Sequence, residues 1–194
     1  MNFILFFFLI LFSFNSAFSH SGKTNSEGCH NQKSNNTYHC HNKKSSFKNN
    51  ISSKNIKIVD GDTIVIEGTK IRFSGIDAPE SFYKGKNQRC IFNDLIVNCG
   101  ELAKKFLVEL IDKKEVICKL EKNPDRYNRK LGECFIDGIS ISSLMVKNGY
   151  AFDYPKYSKK KFAKDQKHAR ENKLGLWKMK FEFPWNFREK IRKK

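Results

Sequence analysis

The sequence predicts an α+β domain: a small β-barrel with helices packed around its edge. Three observations carry that prediction. Segments that alternate apolar and polar residues come first, as half-buried strands do. Segments with apolar residues at three- and four-residue spacing follow. Strands then recur between the helices, with no internal repeat, and that mixture fits a barrel with peripheral helices. A hydrophobic content of 39% and an aromatic content of 13% argue against a wholly disordered chain.

The elements follow in order. Residues 1–19 read as a signal peptide. Phe3 to Phe14 is an apolar run too short for a comfortable membrane span, and Ala17-Phe18-Ser19 supplies the small residues that precede a cleavage site. No Lys or Arg precedes the run. The expectation is export, to the periplasm or outside the cell, with no stable membrane insertion after cleavage. Residues 20–53 are rich in Asn, Ser, Lys, His and Cys and cannot bury a core, which makes them a tail or a small cross-linked module. "IKIV", "TIVIEG" and "KIRFSGI" then read as strands. In "GELAKKFLVELID", Leu102, Ala103, Phe106, Leu107, Leu110 and Ile111 share a helical face. "EVICKL" and "KLGECFI" flank the turn residues of "NPDRYN" as two strands of a hairpin. "SSLMVKNG" predicts a short helix ended by Gly149, and "SKKKFAKDQKHARENKLG" a longer one from a Ser158 cap to Gly175. The folded domain is placed at 54–185, followed by a basic tail at 186–194.

Six cysteines in an exported chain point to three disulfides. Cys118 and Cys134 lie opposite each other in the predicted hairpin, within disulfide reach. Cys90 and Cys99 close a shorter polar loop, and Cys29 and Cys40 would bridge the segment before the domain. His20, His30, His39 and His41 with Cys29 and Cys40 also offer a zinc- or copper-type ligand set. A Cys29–Cys40 disulfide would leave only the imidazoles for a metal, and a disulfide-closed tail is the reading taken.

The formal charge of +17, with 37 Lys and Arg against 20 Asp and Glu, implies an anionic partner. Against that background Asp60, Asp62, Asp77 and Glu80 crowd one short stretch. With Gly68-Thr69 as a two-residue turn, Ile64 would pair with Phe73 and Asp60 with Asp77. Asp62 and Asp77 would then be diagonal neighbours, about 7–8 Å apart at Cβ. Two such carboxylates repel unless a cation lies between them, and a hard cation with oxygen ligands fits. Strict alternation sends Arg72 to the opposite face, a tension that a bend at Gly75 could relieve.

"VDGDT", "IRFSGIDAPES", "DRYNR" and "KLGLW" together resemble the thermonuclease (staphylococcal nuclease-like) family, in an exported bacterial branch with a His/Cys-rich N-terminal segment. The resemblance covers about Lys54 to Trp185. It implies a five-stranded OB-like barrel with about three peripheral helices. It also implies a calcium-dependent nuclease, acting on DNA and RNA and leaving 3′-phosphate ends. By the same resemblance Asp62, Asp77 and the main-chain oxygen of Ala78 would bind Ca2+. Glu80 would orient or deprotonate the attacking water, Arg72 and Arg129 would grip the scissile phosphate, and Tyr127 would lie beside it. Tyr154 and Tyr157 fall in the region that contacts the nucleotide, and the expected state is a monomer.

Two departures stand out. Ala78 replaces a threonine whose side chain is not the ligand. Asn128 replaces glycine, which Asn's tolerance of positive φ accommodates. The loop with Cys90 and Cys99 and the C-terminal "PWNFREKIRKK" are additions to the staphylococcal pattern. The residue types suit the chemistry, since guanidinium forks match phosphoryl oxygens as lysine cannot. Tyr154 and Tyr157 interleave with Lys156, Lys159, Lys160 and Lys161, a pattern that suits bases and phosphates of a single strand. The competing class is a non-catalytic nucleic-acid-binding module, against which the intact set Arg72, Glu80 and Arg129 counts. A metal-scavenging role for the His-rich segment would explain nothing after residue 55.

Overall fold

A computed structural model of the chain describes residues 29–32, 37–40 and 49–193, in two compact units divided between Ser46 and Phe47. In the first unit, β1 (Cys29–Gln32) and β2 (Thr37–Cys40) form an antiparallel hairpin whose register sets Cys29 opposite Cys40. The predicted leader, His20 and His41, and the side chains that would form the Cys29–Cys40 bridge or bind a metal, lie outside the described residues.

The second unit opens with β3 (Asn50–Ser53), β4 (Ile56–Asp60), β5 (Thr63–Ile66), β6 (Thr69–Phe73) and the two-residue β7 (Ile76–Asp77). A hairpin of β8 (Arg89–Phe92) and β9 (Leu95–Asn98) leads into helix α1 (Cys99–Ile111). Then come β10 (Val116–Leu120), β11 (Lys130–Ile136), β12 (Ile139–Ser140) and helix α2 (Ile141–Lys147). The chain ends through β13 (Phe152–Asp153), α3 (Pro155–Ser158), α4 (Ala163–Glu171), a 3₁₀ turn at Gly175–Lys178 and α5 (Pro184–Arg192). The main sheet runs β3-β10-β11-β6-β5-β4, with β12 added to β11, and curls into a half-barrel of the OB type. Among the described residues the sheet and helices outnumber the expected five strands and three helices.

The core follows the periodicity of the sequence. Ile64, Ile66, Ile71 and Phe73 from the β5–β6 hairpin are buried against Ala103, Leu107 and Ile111 of α1 and Met145 and Val146 of α2. Each apolar side chain removed from water in this way contributes about 1.5–3 kcal/mol. Ser140 caps α2, its hydroxyl accepting from the Ser143 amide at 3.3 Å, and Gly149 leaves the helix at φ 76°. Cys118 pairs directly with Cys134 across β10 and β11, and both Cys118–Cys134 and Cys90–Cys99 are disulfides.

Two local expectations are corrected. The β5–β6 turn is Glu67-Gly68, both at positive φ, rather than Gly68-Thr69. Positive φ at both turn positions matches the strand twist, and this sequence supplies it one residue earlier than its glycine suggested. The register therefore pairs Ile64 with Ile71 and Thr63 with Arg72. The long predicted helix begins at Ala163, not Ser158, because Lys159 and Lys160 both adopt left-handed backbone. Ser158 instead closes that turn, its hydroxyl accepting from the Lys160 amide at 2.9 Å.

Candidate active site

The corrected register also removes the tension over Arg72. Gly61 and Asp62 form the turn between β4 and β5, so strand alternation does not govern Asp62. Gly75, at φ 78°, bends the chain out of β6 and starts β7, where Asp77 pairs with Phe152 instead of Asp60. Asp62 and Asp77 thus reach one point from two different strand ends, and Arg72 lies between them. Its guanidinium pairs with Asp62 Oδ1 and donates to Asp77 Oδ1 at 2.5 Å.

The acidic cluster is deeply set. Asp62 is 3% exposed and Asp77 0%. Asp62 also accepts from the Ala78 amide at 2.8 Å and from the Thr63 hydroxyl at 2.9 Å. Burial opposes its ionisation, but the Arg72 charge and these hydrogen bonds outweigh it and hold the carboxyl below its ordinary range. Burial pushes Asp77 upward against the pull of its arginine partners. Burial and then the Asp62 charge raise Glu80, and the same pair of causes pushes Asp60 up to about 7. Asp60 ties the cluster to the next loop, its Oδ1 accepting from the Gly61 amide and the Ser81 hydroxyl, both at 2.9 Å.

A second arginine completes the cluster. Arg188, on α5, donates to Asp77 through Nη1 at 3.0 Å and Nη2 at 2.6 Å, and to Glu80 Oε1 through Nη1 at 2.5 Å. The cluster forms one wall of an open cleft of about 560 Å³. The turn from Pro124 to Arg129 lines the same cleft, placed there because β11 runs parallel to β6 and sets Leu131 beside Arg72. Asp125 organises that turn. Its Oδ1 accepts the amides of Tyr127 and Arg129 at 2.9 Å each, while Oδ2 accepts from Arg129 Nε at 2.8 Å and Nη2 at 2.6 Å. Asn128 sits at φ 59°, the conformation that its replacement of glycine requires. Tyr127 is 60% exposed, with the guanidiniums of Arg126 and Arg129 4.9 and 5.4 Å from its ring centre. Tyr154 and Tyr157 close one end of the cleft in an edge-to-face pair 4.9 Å apart.

A family model described as "Staphylococcal nuclease homologue" matches residues 70–179, more than half of the chain. The chain belongs to the staphylococcal nuclease homologue family. The "Probable staphylococcal-like nuclease CAN1" of Oryza sativa subsp. japonica is 29% identical over 130 residues, which is 66% of this chain and 35% of that protein. An "Uncharacterized endonuclease" of Haemophilus influenzae is 33% identical over 128 residues, 63% of this chain and 64% of its own length. "Endonuclease YhcR" of Bacillus subtilis is 31% identical over 150 residues, 68% of this chain but 12% of its own. The chain spans less than two thirds of each of these relatives.

For a family member, the donors present fit a hard divalent cation in kind. All four acidic side chains offer oxygen donors, and Asp62, held below its ordinary range by Arg72, offers a charged one. Among the described residues, no three acidic, His or Cys side chains stand arranged around one open metal position, because the guanidiniums interleave them. The expected residues Asp62, Asp77, Ala78, Glu80 and Arg72 are brought together. Arg129 and Tyr127 line the same cleft, and Lys161 of the expected lysine run pairs with Glu133 at 2.6 Å.

Sequence reasoning missed Arg188, Asp125 and Gly100. Arg188 lies beyond the family-matched segment, in what read as a tail. Asp125 stood inside a quoted motif but was taken only as a turn signal. Gly100 permits α1 to start against the Glu80 backbone: a Cβ there would come within 2.2 Å of the Glu80 carbonyl. No sequence pattern marks such an approach.

Proposed function

We propose that this chain is a nuclease that hydrolyses phosphodiester bonds in DNA and RNA, using calcium and leaving 3′-phosphate ends. We further propose that it works after export, secreted or in the periplasm. One observation carries the reading: a guanidinium-bridged carboxylate cluster lines a cleft that Arg129 and Tyr127 also line.

Asp62 and Asp77, with the Ala78 carbonyl, are the residues that would hold the cation. When bound, calcium supplies Lewis-acid polarisation of a phosphoryl oxygen. The chain's own residues do the rest. Arg129, anchored by Asp125 at its Nε side, and Arg72 offer N–H donors to the nonbridging oxygens, where charge accumulates as water attacks. Burial keeps Glu80 above its ordinary carboxylate range, closer to the working pH and better matched to a proton acceptor beside that water. The water oxygen bonds to phosphorus as its proton passes to Glu80, the bond to the 5′ oxygen breaks, and solvent protonates the departing alkoxide. Tyr127, Tyr154 and Tyr157 provide ring faces and edges on which single-stranded bases can stack.

The test is cleavage of single-stranded DNA and RNA by the purified chain with calcium, then with excess chelator. Ends should carry 3′-phosphate. Full activity in chelator would reject the calcium reading. Tight binding without cleavage under any metal would leave a nucleic-acid-binding module.

A further inference from the structure

We propose that Arg188 is a positioning residue of this active site, delivered by a C-terminal segment that the family match does not include. The inference rests on the nuclease reading and assigns a further residue to the same site.

The geometry is specific. Arg188 presents both Nη atoms to Asp77 and shares Nη1 with Glu80, so one rigid planar group spans the two carboxylates, and it shares Asp77 Oδ1 with Arg72. Glu80 Oε1 has its partner in Arg188, and a carboxylate so fixed can present its other oxygen in a single direction. Planarity is what this arrangement uses, which a lysine ammonium lacks.

The segment around Arg188 is built to hold it there. Pro184 starts α5, an N-terminal position that suits proline. Phe181, Phe183 and Trp185 pack with Phe152 and Trp177, and the Trp185 ring stacks on Tyr154 at 5.0 Å and 13°. Lys180 exchanges backbone hydrogen bonds with Ile91 of β8, both at 2.9 Å. Gln88, only 1% exposed, donates to the Glu182 carbonyl at 2.7 Å and accepts from the Glu80 amide at 3.1 Å. The same buried amide therefore ties the Glu80 backbone to the chain that brings Arg188 to the Glu80 side chain. Two neighbouring exposed pairs, Lys190–Glu182 and Lys193–Glu189, lie away from the site and need no such frame.

The experiment compares Arg188→Ala, Arg188→Lys and wild type on single-stranded DNA with calcium. Expected is a fall in kcat on the order of 10²-fold for Arg188→Ala with KM changed much less, since misplacing a reacting group by about 1 Å costs that much. Arg188→Lys should recover only a small part. Millimolar guanidinium added to Arg188→Ala should restore kcat in a saturable manner, whereas at that concentration it would leave a variant that had merely lost stability unrescued. Thermal midpoints place each assay well below unfolding. Unchanged kcat in Arg188→Ala would overturn the proposal, and so would a loss matched by Arg188→Lys with no guanidinium rescue. If Arg188→Ala does not fold, Arg188→Lys decides alone: wild-type kcat overturns the proposal, and a large kcat loss with intact KM and thermal midpoint supports it. A wild type that binds DNA but does not cut it refutes the nuclease reading itself, a separate outcome.

Discussion

Arg129 separates catalysis from binding most cleanly at the scale of single residues. Its fork is held by Asp125 and it touches no carboxylate of the buried cluster. Arg129→Lys keeps the charge and loses the fork, so kcat should fall by about 10²–10³-fold. Affinity for uncleaved DNA, read by fluorescence anisotropy without calcium, should change far less. Asp125→Ala should lower kcat in the same direction by releasing the turn, and an unchanged kcat would mean that Arg129 needs no anchor. Asp62→Ala and Asp77→Ala test the cation differently. Each should weaken calcium binding measured by calorimetry, whatever happens to turnover. Among these residues the grouping of Asp62, Asp77, Glu80 and Arg72 was legible in the sequence, because two short neighbouring motifs carry them. The sequence holds no hint of Asp125 as an anchor, since an aspartate after proline is an ordinary turn residue until its hydrogen bonds are seen.

At the scale of elements, the β10–β11 hairpin and the α1 start carry the most weight. The Cys118–Cys134 bridge spans a sequence separation of 16 and joins directly opposed residues. Its loss should cost about 3 kcal/mol on the chain-entropy account, measurable as a lower urea midpoint for Cys118→Ala/Cys134→Ala. Free thiols at these positions in protein recovered from outside the cytoplasm would contradict the bridge. Gly100→Ala should do more local harm. The added carbon meets the Glu80 backbone, an overpacking cost of about 1–3 kcal/mol. It should also displace Glu80, so activity should drop further than stability accounts for at a temperature where the variant is folded. The strand and helix periodicities were legible here. The hairpin register was not, because Glu67 takes a left-handed conformation that sequence assigns to glycine first.

Across the whole molecule, charge and cleft act together. A net charge of +17 on the chain should make DNA affinity fall linearly with the logarithm of salt concentration, by counterion release. The slope for Arg129→Lys should match wild type, since the charge is unchanged, and a flat slope would show that the basic surface does not meet the phosphates. No helix among the described residues is long and apolar enough to cross a membrane. The OB-like half-barrel was legible as a class because alternating strands and amphipathic helices each leave a period in the sequence. The C-terminal helix was less so. "PWNFREKIRKK" is basic enough to look like a solvated tail, and its partners lie more than a hundred residues away, at Asp77 and Glu80.

The hairpin of β8 and β9 has a use beyond the native protein. Its base is clamped twice, by the Cys90–Cys99 bridge and by the Cys99 amide donating to Gln88 at 3.0 Å, while its tip at Asn93-Asp94 is a tight turn with both residues at positive φ. The clamp and the Ile91–Lys180 hydrogen bonds hold the lower hairpin in the frame around Glu80, and the exposed tip lies beyond both. A peptide epitope or a fluorophore acceptor sequence spliced between Asn93 and Asp94 should therefore be displayed without disturbing the cleft, giving a tagged version of the protein whose label sits on a tethered arm rather than at either terminus.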